Sequence, residues 1–263
     1  MGRCLVQIYE VQTPDEAETL VEIGVDHIGS VLLSGDEWRQ PSIKAVVDST
    51  RGTAARTSLI PLFQDMDQIS RALDYYHPDI VHFCDALGTH NEKKGDWELS
   101  FRVQRVIKER FPGIMMMRAI PIAPPGKNGA VPSLILARRF EEISDYFLTD
   151  TLMVDTTSLL EGQQPVSGFV GITGLTCDWD VAAALVQQSA IPVILAGGIS
   201  PENVADGIAR VRPAGIDSCT RTNAVDEKGR PIRFRKDMDK VRKLVNTVQS
   251  MDKVHRGGML NYV

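Results

Sequence analysis

Along this chain, short runs of aliphatic and β-branched residues alternate with longer stretches whose apolar positions return every three or four residues. The first pattern is that of a buried strand and the second that of a helix with one face against a core. Eight strand-like runs stand out: Cys4 to Ile8, Asp26 to Leu32, Thr57 to Leu62, Asp79 to Phe83, Gly113 to Ile120, Thr151 to Asp155, Ile191 to Ala196 and Gly215 to Cys219. Helical stretches follow them at Pro14 to Ile23, Pro41 to Thr50, Asp65 to Tyr76, Trp97 to Phe111, Pro132 to Ser144, Asp178 to Ser189, Pro201 to Val211 and Asp237 to Ser250. Several carry an entry signal such as Thr13-Pro14-Asp15-Glu16 or Ser200-Pro201-Glu202, a capping hydroxyl with proline at the first helical position. Strand then helix, eight times over, predicts a single (β/α)8 TIM barrel over residues 1–250, with a C-terminal tail at 251–263. An open doubly wound sheet is the competing architecture, because alternation alone does not say whether the sheet closes.

Three segments fall outside the regular units: Asp85 to Asp96, Ile122 to Val131 and Asn223 to Arg235. All three follow strands, and in a barrel such loops overhang the C-terminal mouth where binding and catalytic groups collect.

Composition narrows the function classes. The 263 residues carry a net charge of -5, which argues against a nucleic-acid or anionic-membrane surface. No apolar run approaches the roughly 18 residues of a membrane span, and no apolar targeting segment follows Met1. Cys4, Cys84, Cys177 and Cys219 are scattered without metal-ligand spacing, as reduced thiols of a cytoplasmic protein would be.

The candidate chemistry lies in the second half. Val193-Ile194-Leu195-Ala196-Gly197-Gly198 ends a buried strand on two glycines, leaving backbone N–H groups free for a phosphate monoester. Val154-Asp155-Thr156 places a carboxylate at the expected end of the sixth strand, a position for a general acid or base. Gly171-Ile172-Thr173-Gly174-Leu175-Thr176-Cys177-Asp178-Trp179 runs into a helix that Asp178 would cap, with amides able to wrap a small ligand.

These motifs together resemble the phosphoribosylanthranilate isomerase family of tryptophan biosynthesis. GITGLTCDW stands where that family shows GGTGxTFDW, LAGGISPENV where it shows LAGGLxPENV, and RVRPAGIDSCT is similar to its run into VDVSSG. The resemblance implies an Amadori rearrangement, in which an aminoaldose phosphate ring opens and becomes an aminoketose phosphate with no metal or organic cofactor. Asp155 would match the acid that protonates the ring oxygen. The base departs from the pattern: where the family reads KICG this chain reads Gln7-Ile8-Tyr9-Glu10, so Tyr9 occupies the cysteine position. A phenol with an ordinary pKa of about 10 is a poor base at neutral pH. Glu10, Cys84 and Cys219 are candidate substitutes, and His82 reads as a core histidine. The family's strand 8 SSG is replaced by Cys219-Thr220-Arg221, where Arg221 could itself pair with a phosphate.

The resemblance thus assigns Asp155 and Tyr9 to catalysis, and Arg39, Gly171, Thr173 and Gly174 to the substrate. Gly197, Gly198, Cys219, Thr220 and Arg221 go to the phosphate. The expected partner is a small phosphorylated sugar, with no nucleic acid and no membrane, bound by a monomer or homodimer. The alternative is a diverged member that binds a phosphorylated metabolite or acts on a different phosphosugar.

Overall fold

A computed structural model describes residues 3–87, 96–127, 131–153 and 168–258. Eight parallel strands close into a barrel in sequence order: β1 (Leu5–Ile8), β2 (His27–Leu32), β3 (Arg56–Pro61), β4 (Ile80–Phe83), β5 (Met115–Ile122), β6 (Tyr146–Thr151), β7 (Val193–Leu195) and β8 (Gly215–Ser218). The last strand pairs with the first, Gln7 opposite Asp217 and Ile8 opposite Ser218, so the open-sheet alternative is excluded. Around them lie α1 (Pro14–Ile23), α2 (Pro41–Thr50), α3 (Met66–Tyr76), α4 (Asp96–Arg110), α5 (Ser133–Phe140), α6 (Trp179–Gln188), α7 (Val204–Val211) and α8 (Met238–Gly258).

Alternation along each strand sorts its side chains between two layers. On β1, Val6 and Ile8 join the cluster against the helices with Leu20, Val241 and Leu244, while Gln7 turns inward. Val31, Met117, Leu148 and Ile194 belong to the separate cluster that also holds Tyr9. Local caps set the helix starts. Thr13 accepts from the N–H of Glu16 at 3.4 Å, and Asp178 accepts from those of Asp180 and Val181 at 2.9 and 3.3 Å. No helix among the described residues is long and apolar enough to cross a membrane.

Four of the departures from the sequence expectation change the picture. The sixth strand is Tyr146–Thr151 and not 151 to 155, because Tyr146 through Thr151 align with Met117 through Ile122 of β5. Asp155 itself lies outside the described residues. Helix α7 begins at Val204 instead of Pro201: the Asn203 side chain accepts from the N–H of Ser200 at 2.8 Å, keeping residues 200–203 in a turn. Helix α8 continues past Ser250, where Met251 packs on the core and Asp252 accepts from the backbone of Cys4 at 3.2 Å. The polar segment 223–235 folds as an antiparallel hairpin of β9 (Asn223–Val225) and β10 (Pro231–Lys236). Its turn is held by Asp226, which accepts from the N–H groups of Lys228 and Arg230 at 2.9 and 2.8 Å.

Candidate active site

The C-terminal mouth of the barrel opens into a cavity lined by groups from most of the strands. β1 leads to Tyr9 and Glu10, β4 supplies His82 and leads to Cys84, β6 supplies Asp150, and β8 supplies Asp217 and leads to Cys219. The glycine pair after β7, Gly197 and Gly198, forms part of its wall with Ile172, Thr173, Gly174, Thr220 and Arg221.

Asp150 is the carboxylate that β6 delivers to the mouth. Its Oδ1 accepts from the N–H of Thr151 at 2.8 Å. A side-chain methylene at Gly171 would sit 2.1 Å from Asp150 Oδ2, and Gly171 has φ of 101°, so glycine is required there on both counts. Burial raises the Asp150 carboxyl to about 7, which keeps it substantially protonated near neutral pH. On β8, Asp217 accepts from Gln7 Nε2 at 3.2 Å, and burial raises it to about 8, with the charge of Asp150 adding to the shift.

Tyr9 points inward from the end of β1 and lies flat over Gly29 of β2. A methylene on Gly29 would come within 2.0 Å of Tyr9 Cδ1. The phenol oxygen is 2.6 Å from Ser58 Oγ and 2.8 Å from His82 Nδ1, so its hydrogen-bonding capacity is used inside the barrel. Burial pushes the phenol further above its ordinary value. His82, the reverse case, is held neutral by burial and the Arg118 guanidinium, at about 3.

The remaining candidates for the base are likewise committed. Glu10, turned at φ of 64°, does reach the mouth, but its carboxylate accepts from Arg233 Nε of β10 at 2.7 Å and forms an ion pair with that guanidinium. Burial pushes the Cys84 and Cys219 thiols well above their ordinary value, so neither is a thiolate at neutral pH.

Two loops shape the rim. Val170 donates to the carbonyl of Cys84 at 2.8 Å and Ala86 to that of Gly168 at 2.7 Å, tying the segment after β4 to the one leading into α6. Below this contact Arg118 of β5, wholly buried, pairs with Asp85 at 2.6 Å and donates to Gln104 at 2.7 Å. On the other side Arg221 Nε donates to the carbonyl of Gly174 at 2.9 Å, joining the turn after β8 to the glycine-threonine loop.

Of the residues singled out from sequence, Tyr9, Thr173, Gly174, Gly197, Gly198, Cys219, Thr220 and Arg221 are brought together here, and Gly171 backs Asp150. Arg39 is not: it is exposed and stacks 4.7 Å from the centre of the Tyr75 ring, away from the cavity lining. Asp150, Asp217 and Arg233 were missed. The signal for Asp150 was a second Asp-Thr pair, Asp150-Thr151, directly behind the apolar Tyr146-Phe147-Leu148. The signal for Asp217 was an acidic residue inside a short buried strand.

Residues 130–247 match the family model described as N-(5'-phosphoribosyl)anthranilate (PRA) isomerase. A protein named N-(5'-phosphoribosyl)anthranilate isomerase from Methanothrix thermoacetophila is 30% identical over 254 residues, spanning 93% of this chain and 98% of that one. A protein of the same name from Methanocella arvoryzae is 32% identical over 143 residues, and there the chain spans only 54% of its relative. Among solved structures, phosphoribosyl anthranilate isomerase from Thermotoga maritima superposes with a TM-score of 0.64 at 20% identity, covering 94% of this chain and 99% of that one. Another isomerase structure, in complex with reduced 1-(o-carboxyphenylamino)-1-deoxyribulose 5-phosphate, superposes with a TM-score of 0.63 at 18% identity, covering 94% and 99%. At those identities the two structures speak for the fold.

Proposed function

Since the chain belongs to the N-(5'-phosphoribosyl)anthranilate isomerase family, we propose that it converts phosphoribosylanthranilate to the corresponding aminoketose phosphate, in the cytoplasm, as a step of tryptophan biosynthesis. The observation that carries this reading is Asp150, a half-buried carboxyl at the end of β6 whose proton affinity is raised to about 7 by desolvation. A ring oxygen needs a proton donor as its bond to C1 breaks, and an acid titrating near the operating pH is suited to that role. Asp150 takes the part that the sequence resemblance assigned to Asp155.

The phosphate is bound at Gly197, Gly198 and the turn at Cys219 to Arg221. Backbone N–H groups and the Arg221 guanidinium offer it hydrogen bonds and charge. Gly171, Thr173 and Gly174 place backbone over the sugar, beside the acid. Tyr9 at the cysteine position favours one second reading, a protein that binds a phosphorylated metabolite without converting it.

A fluorescence assay with freshly generated phosphoribosylanthranilate separates the two. Turnover in the wild type that falls by about a hundred-fold or more in Asp150→Asn, and by much less in Asp155→Asn, is the expected result. No turnover in the wild type, with ligand affinity unchanged in Asp150→Asn, would establish the binder.

A further inference from the structure

The cavity holds a second carboxylate for which the acid step has no use. Asp217 sits on β8, whose register with β1 sets it beside Gln7 and therefore on the inward face, two positions below Tyr9 on the neighbouring strand. It is 7% exposed and lines the same cavity as Asp150. Gln7 Nε2 holds its Oδ1 at 3.2 Å, and among the described residues no hydrogen bond reaches Oδ2. Among the described residues the other candidate bases at the mouth are engaged, protonated or weak, and His82, whose Nε2 has no partner, is made a weak base by burial and Arg118. The Tyr9 phenol is bonded to Ser58 and His82, Glu10 is paired with Arg233, and Cys84 and Cys219 are thiols. We propose that Asp217 is the general base of this protein, removing the C2 proton in place of the cysteine, an assignment that rests on the isomerase reading above.

The steps balance without any further reagent. Asp150 gives its proton to the ring oxygen as the bond from C1 to that oxygen breaks, and the nitrogen lone pair forms the C1–N double bond of an iminium. Asp217 takes the proton from C2. The C–H pair becomes the C1–C2 double bond, and the C–N π pair returns to nitrogen. The resulting enol loses its hydroxyl proton to the Asp150 carboxylate while C1 receives the proton held by Asp217, leaving a C2 ketone, a C1 amine and both carboxyls as they began.

Two carboxylates sharing one low-dielectric cavity disfavour double ionisation, so near neutral pH they hold one proton between them. That single protonation state supplies one acid and one base together. Burial strengthens the base as well: a carboxylate with raised proton affinity abstracts a carbon-bound proton faster than an ordinary one. Burial raises both groups, Asp217 to about 8 and Asp150 to about 7, so the shared proton rests more on Asp217 and the working form is the tautomer that carries it on Asp150.

The test is the pH dependence of turnover in the wild type, Asp150→Asn, Asp217→Asn and Asp217→Ala. Asp217→Asn is expected to lose about a hundred- to ten-thousand-fold in kcat with little change in KM, and to lose the acid-side limb of the pH profile. Added formate, a small carboxylate able to enter the space left by Asp217→Ala, should restore turnover in that variant, which a purely structural role would not allow. If Asp217→Asn does not fold, Asp217→Glu decides: a lowered kcat with a displaced acid limb supports the assignment, and an unchanged profile overturns it. Wild-type turnover lost in Asp150→Asn but kept above a tenth in Asp217→Asn removes Asp217 alone, leaving the isomerase reading intact. Absence of turnover in the wild type removes both.

Discussion

Replacing Gly29 by alanine tests whether Tyr9 is a structural plug in this barrel. The added methyl carbon would fall 2.0 Å from Cδ1, 2.1 Å from Cε1 and 2.8 Å from Cγ of the Tyr9 ring, so the ring must move or β2 must. Neither moves freely. The ring is 4% exposed, its oxygen is fixed by Ser58 and His82, and β2 is paired with β3 from His27 to Leu32. Overpacking of this kind costs about 1–3 kcal/mol. Displacing a buried hydroxyl from its partners costs about 1–3 kcal/mol more. A total near 3 kcal/mol is expected, and at about 2–4 °C per kcal/mol for a chain of this size it lowers Tm by roughly 6–12 °C.

The informative measurement is a double-mutant cycle followed by urea unfolding. Tyr9→Cys alone should cost about 3–5 kcal/mol through the cavity left by the ring. In that background the new methyl enters empty space, so Gly29→Ala should cost less than about 0.5 kcal/mol. The coupling between the two sites is then more than about 2 kcal/mol. Additive effects within about 0.5 kcal/mol would refute the packing argument, since independent sites behave that way.

Two further outcomes follow from the buried charges. Asp150 binds its proton more tightly in the folded state, about 7 against an ordinary 3.8, so its contribution to stability is complete below pH 3.8 and is lost as pH rises through 7. Asp150→Asn should therefore gain stability relative to the wild type between pH 4 and pH 7 in thermal melts, and a constant difference across that window would contradict the burial argument. Arg233→Met leaves the Glu10 carboxylate, 1% exposed, without its guanidinium. A loss of about 1–3 kcal/mol is expected, recovered in part by Glu10→Gln in the same chain, and a neutral Arg233→Met would show that the hairpin does not depend on this pair.

The barrel was legible because each βα unit is written locally. Apolar runs of period two, helical stretches of period 3.6 and caps such as Thr13 and Asp178 lie within a few residues of the elements they define. The glycine pair that lines the cavity after β7 was legible for the same reason, being a contiguous stretch around Gly197 and Gly198. The charged hairpin 223–236 was not, because its pairing runs between strands whose polar residues obscure the alternation.

What the amino-acid sequence determined by itself, then, was the order of elements, the family likeness and the residue that stands at the cysteine position. Tertiary structure decided which carboxylates face the mouth. The end of β6 is set by its ladder with β5, which places Asp150 on the strand, and no local signal encodes that register. Closure of the barrel sets Asp217 beside Gln7, 210 residues away in sequence, and brings Arg233 to Glu10 across 223. It also sends the Tyr9 hydroxyl inward to Ser58 and His82. Those contacts depend on distances across a closed sheet, and burial within it is what raises the proton affinity of both aspartates.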